Sequence, residues 1–175
     1  YSLPSFFTYM CSPFYIIYAI DVLHVDEFQY AIMMTLQSIV FFASNVPIGK
    51  LVDRVGRKWP LMASSIFTLL GTMLFINGDL PRLYIAQVLF AIGYSSFSMA
   101  YMALQMDIVP REHRGKVQAF TNFTDLVLAS TGAIVGGIIY ESISVQMPFL
   151  LSLVPMLPTA ILTLHFVHEP ERREE

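Results

Sequence analysis

Residues 49–58 limit the folds open to this chain more than any other segment. They read Gly-Lys-Leu-Val-Asp-Arg-Val-Gly-Arg-Lys, so five charged side chains and two glycines stand between two long apolar runs. Charged groups are costly in the hydrocarbon core of a bilayer, whereas an apolar helix can cross it because its backbone groups bond to one another. The pattern therefore predicts a short turn at a membrane surface, joining one transmembrane helix to the next.

The composition agrees with a chain that lies in a lipid bilayer. Apolar residues make up 55% of the 175 residues and charged residues 13%, whereas soluble domains carry about 25% charged residues. The net charge of −3, with no basic stripe outside the turns, does not indicate a nucleic acid partner. The sequence contains no metal-ligand spacing, phosphate-binding glycine loop or catalytic constellation. We therefore predict a non-enzymatic membrane protein without a cofactor or metal.

Six apolar segments approach or exceed the roughly 20 residues that a helix needs to cross a bilayer. They are residues 3–22, 28–51, 59–77, 83–108, 116–140 and 147–167. Proline is expected to kink the first and last segments, at Pro4, Pro13, Pro155 and Pro158. A soluble helical bundle is disfavoured because none of the segments has a wide polar face. The predicted fold class is an all-α integral membrane domain with six transmembrane helices.

The distribution of basic residues predicts the orientation. Nine of the ten basic residues lie in the tail or around the second and fourth turns: Lys50, Arg54, Arg57, Lys58, Arg111, Arg114, Lys116, Arg172 and Arg173. Only Arg82 falls in an odd-numbered turn, and those turns are otherwise acidic or neutral. By the positive-inside rule, both chain ends and the even-numbered turns are cytoplasmic. We expect a multi-pass protein of the plasma or inner membrane.

Two motifs resemble the major facilitator superfamily of secondary transporters. The first is G-x-x-x-D-R-x-G-R-K, found after the second helix of a six-helix half, and it is present as Gly49, Asp53, Arg54, Gly56, Arg57 and Lys58. The second resembles the P-x-x-x-R-G turn before the fifth helix, with Pro110, Arg114 and Gly115 after Asp107. The resemblance implies a half built from two inverted three-helix repeats. A weak similarity between residues 47–52 and 134–139 agrees with such a repeat.

The resemblance also implies a mechanism and a missing partner. Such a half would join a second half in a twelve-helix chain that moves a small solute by alternating access, with H⁺ as a candidate coupling ion. The charged tail after Val167, and Gln87 where N-terminal halves often carry arginine, favour the C-terminal half. Because the chain begins with Tyr1, an upstream N-terminal half is expected. The alternatives are a six-helix scaffold or receptor-like domain, and a half-size transporter that dimerises.

The first motif is implied by the resemblance to act as a conformational latch. Gly49 would let another backbone approach, and Gly56 suits a positive φ. Asp53 would cap a helix N-terminus in the other half. Asp107 is expected at the same membrane face as Arg54 and Arg57, where it could form an ion pair. The simpler alternative is that these residues only orient the chain and solvate a turn.

Asp125 is the acid that lies deep within a predicted span. Gln118, Asn122 and Asp125 are spaced by four and three residues, so they share one helix face, which we expect to line a cavity. Asp125 could bind a cationic group, carry the coupling proton, or pair structurally with the missing half. Gln37 in the second span is a weaker candidate for the same cavity.

Overall fold

The computed structural model describes residues 2–166, and every regular element among them is helical. The elements are α1 (Ser2–Cys11), α2 (Phe14–Ile17), a π-helical turn (Tyr18–Val22), α3 (Glu27–Val55), α4 (Lys58–Phe75), α5 (Leu80–Ile108), a 3₁₀ turn (Arg111–His113), α6 (Arg114–Ser142), α7 (Met147–Leu153) and α8 (Met156–Phe166). The predicted basic tail, with Arg172 and Arg173, lies outside the described residues.

Three helices in the described part of the chain are long and apolar enough to cross a membrane. They are α3, α5, and α6 together with the 3₁₀ turn before it. A helix of 29 residues is roughly 43 Å long, which exceeds the ~30 Å hydrocarbon core. The all-helical membrane fold is thus confirmed. The count of six transmembrane helices stays a prediction, because α4 has only 18 residues and the first and last segments are each divided.

Proline divides those two segments. Pro13 stands between α1 and α2, and Pro155 stands between α7 and α8. Proline has no N–H to donate and its ring clashes with the preceding turn, which favours a break at these two positions, although α3 continues through Pro47. Pro4 and Pro158 produce no break because each lies in the first turn of its helix, where no N–H donor is needed.

The turn after the second span is shorter than the turn that the charged segment predicted. α3 continues through Lys50, Asp53 and Arg54 to Val55, and only Gly56 and Arg57 separate it from α4. The charges mark where the chain leaves the hydrocarbon, but lysine and arginine are good helix formers, so they do not end the helix. The helix ends at Gly56, whose φ of 94° is open mainly to glycine.

The helices pair in a repeating pattern. α3 and α4 both pack against α5, whereas α6 and α7 both pack against α1, and α4 also contacts α8. Gly132 and Gly136 explain the close approach of α6 to α1. A Cβ at Gly132 would lie 3.1 Å from the Phe6 carbonyl oxygen, and a Cβ at Gly136 would overlap the Met10 carbonyl oxygen. Two small residues four positions apart thus let the two helix backbones come close together.

Polar contacts define two ends of the bundle. At one end, called here the basic end, the turn at residues 56–57 meets the end of α5 through Arg57 and Asp107. At the opposite end, Gln146 donates a hydrogen bond to Asn77 (2.9 Å), and both contact the hydroxyl of Tyr18. The tyrosine is fully buried, so this cluster ties the first segment to the turns before α5 and α7.

Candidate functional site

Arg57 and Asp107 form the central contact of the basic end. The Nε atom of Arg57 lies 2.9 Å from Oδ2 of Asp107, with side-chain exposures of 22% and 35%. The Nε–H group does not meet hydrogen-bond geometry, so the contact is an ion pair. Gly56 makes it possible, because its left-handed backbone turns the chain while its N–H still donates to the Val52 carbonyl at 3.0 Å. Of the ion pairs expected for Asp107, the one with Arg57 is therefore present.

Asp53 lies exposed in the last turn of α3. It forms no ion pair with any residue of the described chain. A carboxylate there faces the negative end of its own helix dipole, an arrangement that costs about 0.3–1 kcal/mol. Gly49, one turn earlier, is also open, since a Cβ added there would meet nothing within 4 Å. Gly49 and Asp53 thus form an unoccupied strip on α3, called here the Gly49–Asp53 strip.

The expectation that Gly49 admits another backbone is not met within the described chain. The end of α3 packs through Val52, which is 2% exposed. Gly49 takes no part in this contact, since a Cβ added there would meet nothing within 4 Å. Arg54 is likewise exposed in the last turn of α3, and Lys58 begins α4.

Arg114 closes the end of α5. Its Nε donates to the carbonyl of Val109 at 3.2 Å, and its Nη2 donates to the carbonyl of Met106 at 2.7 Å. The last carbonyls of a helix lack partners within the helix, so a guanidinium can cap them. Pro110 is extended, with ψ of 145°, and Gly115 has open space around it. This capping contact was not predicted from the sequence.

A polar stripe runs along α6, as predicted. Gln118 donates a hydrogen bond from Nε2 to Oδ1 of Asn122 at 2.9 Å, and Asp125 follows one turn later, partly buried. Asp125 is eleven residues beyond Arg114, or roughly 17 Å along the helix.

An open groove lies between α3 and α5, called here the α3–α5 groove. It has a volume of about 220 Å³ and is lined by Gln37, Ser38, Phe41, Phe42, Ala91 and Tyr94. The rings of Phe41 and Tyr94 have centroids 5.4 Å apart, and Tyr94 is 65% exposed. The structure thus places Gln37 and Tyr94 in the groove, whereas Asp125 on α6 does not line it.

A second interhelical contact was also missed in the sequence. Ser95, fully buried on α5, donates a hydrogen bond to Oδ1 of Asn45 on α3 at 2.6 Å. It fixes α3 against α5 near the groove. Among residues 2–166, no group of three or more His, Cys, Asp or Glu side chains could hold a metal ion.

Comparisons with known proteins identify a family and several relatives. The family model of the Major Facilitator Superfamily matches residues 2–175. The chain is 27% identical to the chromaffin granule amine transporter of Homo sapiens over 69% of its length and 23% of that protein. It is 26% identical to the class H tetracycline resistance protein of Pasteurella multocida over 83% of its length and 36% of that protein.

A third relative has a similar identity and coverage. Multidrug resistance protein 3 of Bacillus subtilis is 28% identical over 81% of the chain and 27% of its own length. The chain thus spans about a quarter to a third of the length of these three relatives.

Proposed function

Because this chain belongs to the major facilitator superfamily, we propose that it forms one six-helix half of a twelve-helix transporter that moves a small solute across a membrane. The family consists of transporters. The relatives are longer by an amount that leaves room for a second half. The absence of an arginine at Gln87 and the charged tail favour the C-terminal half, with the N-terminal half as its partner.

The proposed six spans include the two divided segments. Residues 2–22 with the break at Pro13, α4, and residues 147–166 with the break at Pro155 would join the three long helices. The helix pairing supports two inverted three-helix repeats. If α1 corresponds to α5, α3 to α6, and α4 to the α7–α8 segment, then the contacts of α5 with α3 and α4 match those of α1 with α6 and α7.

One observation carries the transport proposal: polar side chains stand on helices that leave one side of the bundle largely uncovered. In the 18-residue apolar stretches of α3 and α6, only 11% of the residues are buried, against 44% in that of α5. The same uncovered helices carry Gln37, Gln118, Asn122 and Asp125. A lipid-facing surface would not hold an acid and several amides, so this side is proposed to line a water-filled cavity between two halves.

The basic end is proposed to control which side of the membrane the cavity faces. Arg57 and Asp107 fix the turn, and the Gly49–Asp53 strip is left open for a helix N-terminus of the other half. There the Asp53 carboxylate, which is disfavoured by the negative end of its own helix dipole, would be stabilised by the positive end of the other helix. Gly49, Asp53, Arg54, Gly56, Arg57 and Lys58 would then form a latch that holds one conformation. Alternating access would follow from release of that latch.

The energy source is proposed to be a solute gradient or a proton gradient. Asp125 is the acid at bilayer depth in α6 that a coupling proton would use. By the positive-inside rule, the basic residues of the turns support a cytoplasmic location for both chain ends, with the protein in the plasma or inner membrane.

The proposal is tested with the full-length protein in proteoliposomes. A panel of labelled solutes would be followed for exchange and for uptake with and without a pH gradient. Asp53→Asn should lower transport several-fold while membrane insertion persists, since a helix-terminus charge is worth up to ~2 kcal/mol when partly buried. Glu112→Gln, which removes an exposed acid from the 3₁₀ turn, is the matched control.

Two results would contradict the proposal. Failure to move any solute would support a six-helix scaffold or receptor-like domain instead. Normal transport by Asp53→Asn would contradict the latch role of Asp53 but not the transport function.

A further inference from the structure

A cleft opens at the basic end of the bundle, between the last two turns of α5 and the start of α6. These two consecutive helices have different partners, because α5 packs against α3 and α4 whereas α6 packs against α1 and α7. The cleft, called here the α5–α6 cleft, has a volume of about 290 Å³ and shares no lining residue with the α3–α5 groove. Its apolar lining consists of Met102, Met106, Val109 and Val117.

The apolar walls of the α5–α6 cleft are not covered by the described chain. Met102 is 52% exposed, Met106 47% and Val117 36%. Met102 lies six residues before the end of α5 at Ile108, which places it roughly 9 Å deeper in the membrane than that helix end. Methionine is flexible and fits irregular apolar groups. The cleft therefore offers an adaptable apolar surface that runs from the membrane surface toward the hydrocarbon.

The mouth of the α5–α6 cleft is rich in positive charge. Arg114 lines it, and Arg111 and Lys116 stand within three residues of Arg114, both exposed. Neither Arg111 nor Lys116 forms an ion pair with a described residue. The acids nearby are Glu112, and Asp107, whose charge is already offset by an ion pair. Three basic side chains thus outnumber one unpaired acid at the mouth.

Arg114 is held in place and still has donors for a ligand. A guanidinium carries five N–H donors. Nε and Nη2 donate to the carbonyls of Val109 and Met106, which fixes the group at the mouth of the cleft. Neither bond uses Nη1, whose two N–H groups remain for an acceptor. Because the planar guanidinium matches the geometry of phosphate, a phosphate at the mouth would meet an arginine that is already positioned.

We propose that the α5–α6 cleft binds an anionic phospholipid from the leaflet at the basic end. The phosphate lies at Arg114, Arg111 and Lys116 add attraction, and one acyl chain runs along Met102 and Val117 toward the bilayer centre. Charge at the surface with apolar walls below is the order of groups in a lipid. The predicted orientation puts the basic end at the cytoplasmic leaflet, whose lipids are anionic. The site does not depend on whether the protein transports a solute.

The test is photo-cross-linking of the full-length protein in phosphatidylcholine nanodiscs. The probe is a small amount of phosphatidylglycerol that carries a diazirine on one acyl chain, and mass spectrometry of the peptides locates the label. We expect label on Met102 and Val117, and we expect unlabelled phosphatidylglycerol to compete better than phosphatidylcholine. Absence of label from the cleft, or equal competition by the two lipids, would overturn the proposal.

Charge variants separate a site from a general attraction of lipid to the basic end. A basic residue at a membrane surface changes the affinity for anionic lipid by about fivefold, so Arg114→Gln should lower the label by at least that factor. Because Arg114 also caps α5, Lys116→Gln, next to the lining residues Gly115 and Val117, repeats the test without loss of a cap. Lys50→Gln removes an exposed basic residue of α3 that does not line the cleft, and should leave the label unchanged. Equal losses from Lys116→Gln and Lys50→Gln would contradict a specific site.

Shape variants test the cleft without a change of charge. Met102→Trp fills the space and should lower the label on Met106 and Val117 several-fold, whereas Met102→Leu, which is similar in volume, should keep it. Label that is unaffected by Met102→Trp would overturn the acyl-chain path. Short cross-links from a cysteine at position 102 to the N-terminal half would show that protein covers the cleft, and would also overturn the proposal.

Discussion

Arg57 and Asp107 connect the turn after α3 to the end of α5, with Nε 2.9 Å from Oδ2. The two residues belong to the two separate motifs that stand out in the sequence. Their contact makes one structural unit of the basic end. In this unit, Gly56 turns the chain, Arg57 holds the turn, and Arg114 caps the helix that carries Asp107.

The first prediction concerns this ion pair. Exchanging the two residues, as Arg57→Asp with Asp107→Arg, should recover much of the stability that either single change removes. A partly exposed pair is worth about 0.2–1 kcal/mol, so a double-mutant cycle on unfolding should give a coupling energy in that range. The cycle would be measured in detergent with a mild denaturant.

The pair of Arg82 and Asp79 is the control for this cycle. Its atoms are 3.9 Å apart and its side chains are 61% and 79% exposed, so no measurable coupling is expected. A coupling energy for Arg57 and Asp107 that is as small as this control would mean that the ion pair does not hold the turn.

The second prediction uses two adjacent glycines on α6. Gly136→Ala should destabilise the protein by about 1–3 kcal/mol, because its methyl group would overlap the Met10 carbonyl of α1. Gly137→Ala should be neutral or slightly stabilising, because its methyl group would lie 3.6 Å from Phe14, an ordinary contact. Thermal unfolding of the two variants compares them directly. Equal melting temperatures would show that α1 and α6 are not as close as described.

The third prediction concerns the hydrogen bond between Ser95 and Asn45. Ser95→Ala should cost about 0.6 kcal/mol, and at most ~1.7, the range found for hydrogen bonds between membrane helices. Ser38→Ala should cost less, because the Ser38 hydroxyl is exposed and bonds only to Met34 of its own helix. Free energies of unfolding for the two variants would decide this. A Ser95→Ala protein as stable as Ser38→Ala would argue against the contact.

The fourth prediction tests the orientation. Cysteines at positions 24 and 79 should react with an impermeant thiol reagent added outside cells, whereas a cysteine at position 113 should react only after the membrane is opened. All three positions are exposed. The native Cys11 is 1% exposed and gives little background. Labelling in the reverse order would invert the membrane orientation and every role that depends on it.

The sequence predicted the features that depend on single residues. Charged turns marked the ends of the spans to within a few residues, and prolines 13 and 155 marked the breaks. The spacing of Gln118, Asn122 and Asp125 correctly placed three polar groups on one face. These succeed because the cost of a charge in lipid, the missing N–H of proline and the helical period are local properties.

The features that depend on helix pairing were not predictable in the same way. Nothing in the apolar faces of α3 and α5 marks Asn45 and Ser95 as partners, because lipid and protein interiors are equally apolar and leave no contrast in the sequence. The end of α3 was misplaced for a related reason. Charge locates the membrane surface, whereas the helix end is set by the backbone freedom of Gly56.

The pairing of α1 with α6 also has a consequence for biosynthesis. During synthesis α1 enters the membrane before α6 and α7, its main partners among the described residues, have been made. Until then, the backbone surface of α1 that contacts Gly132 and Gly136 stays uncovered by α6. Meanwhile α3, α4 and α5 can assemble with one another. The native bundle therefore closes late, and a ribosome-bound chain that ends after α5 should still contain a first helix open to quality-control proteins.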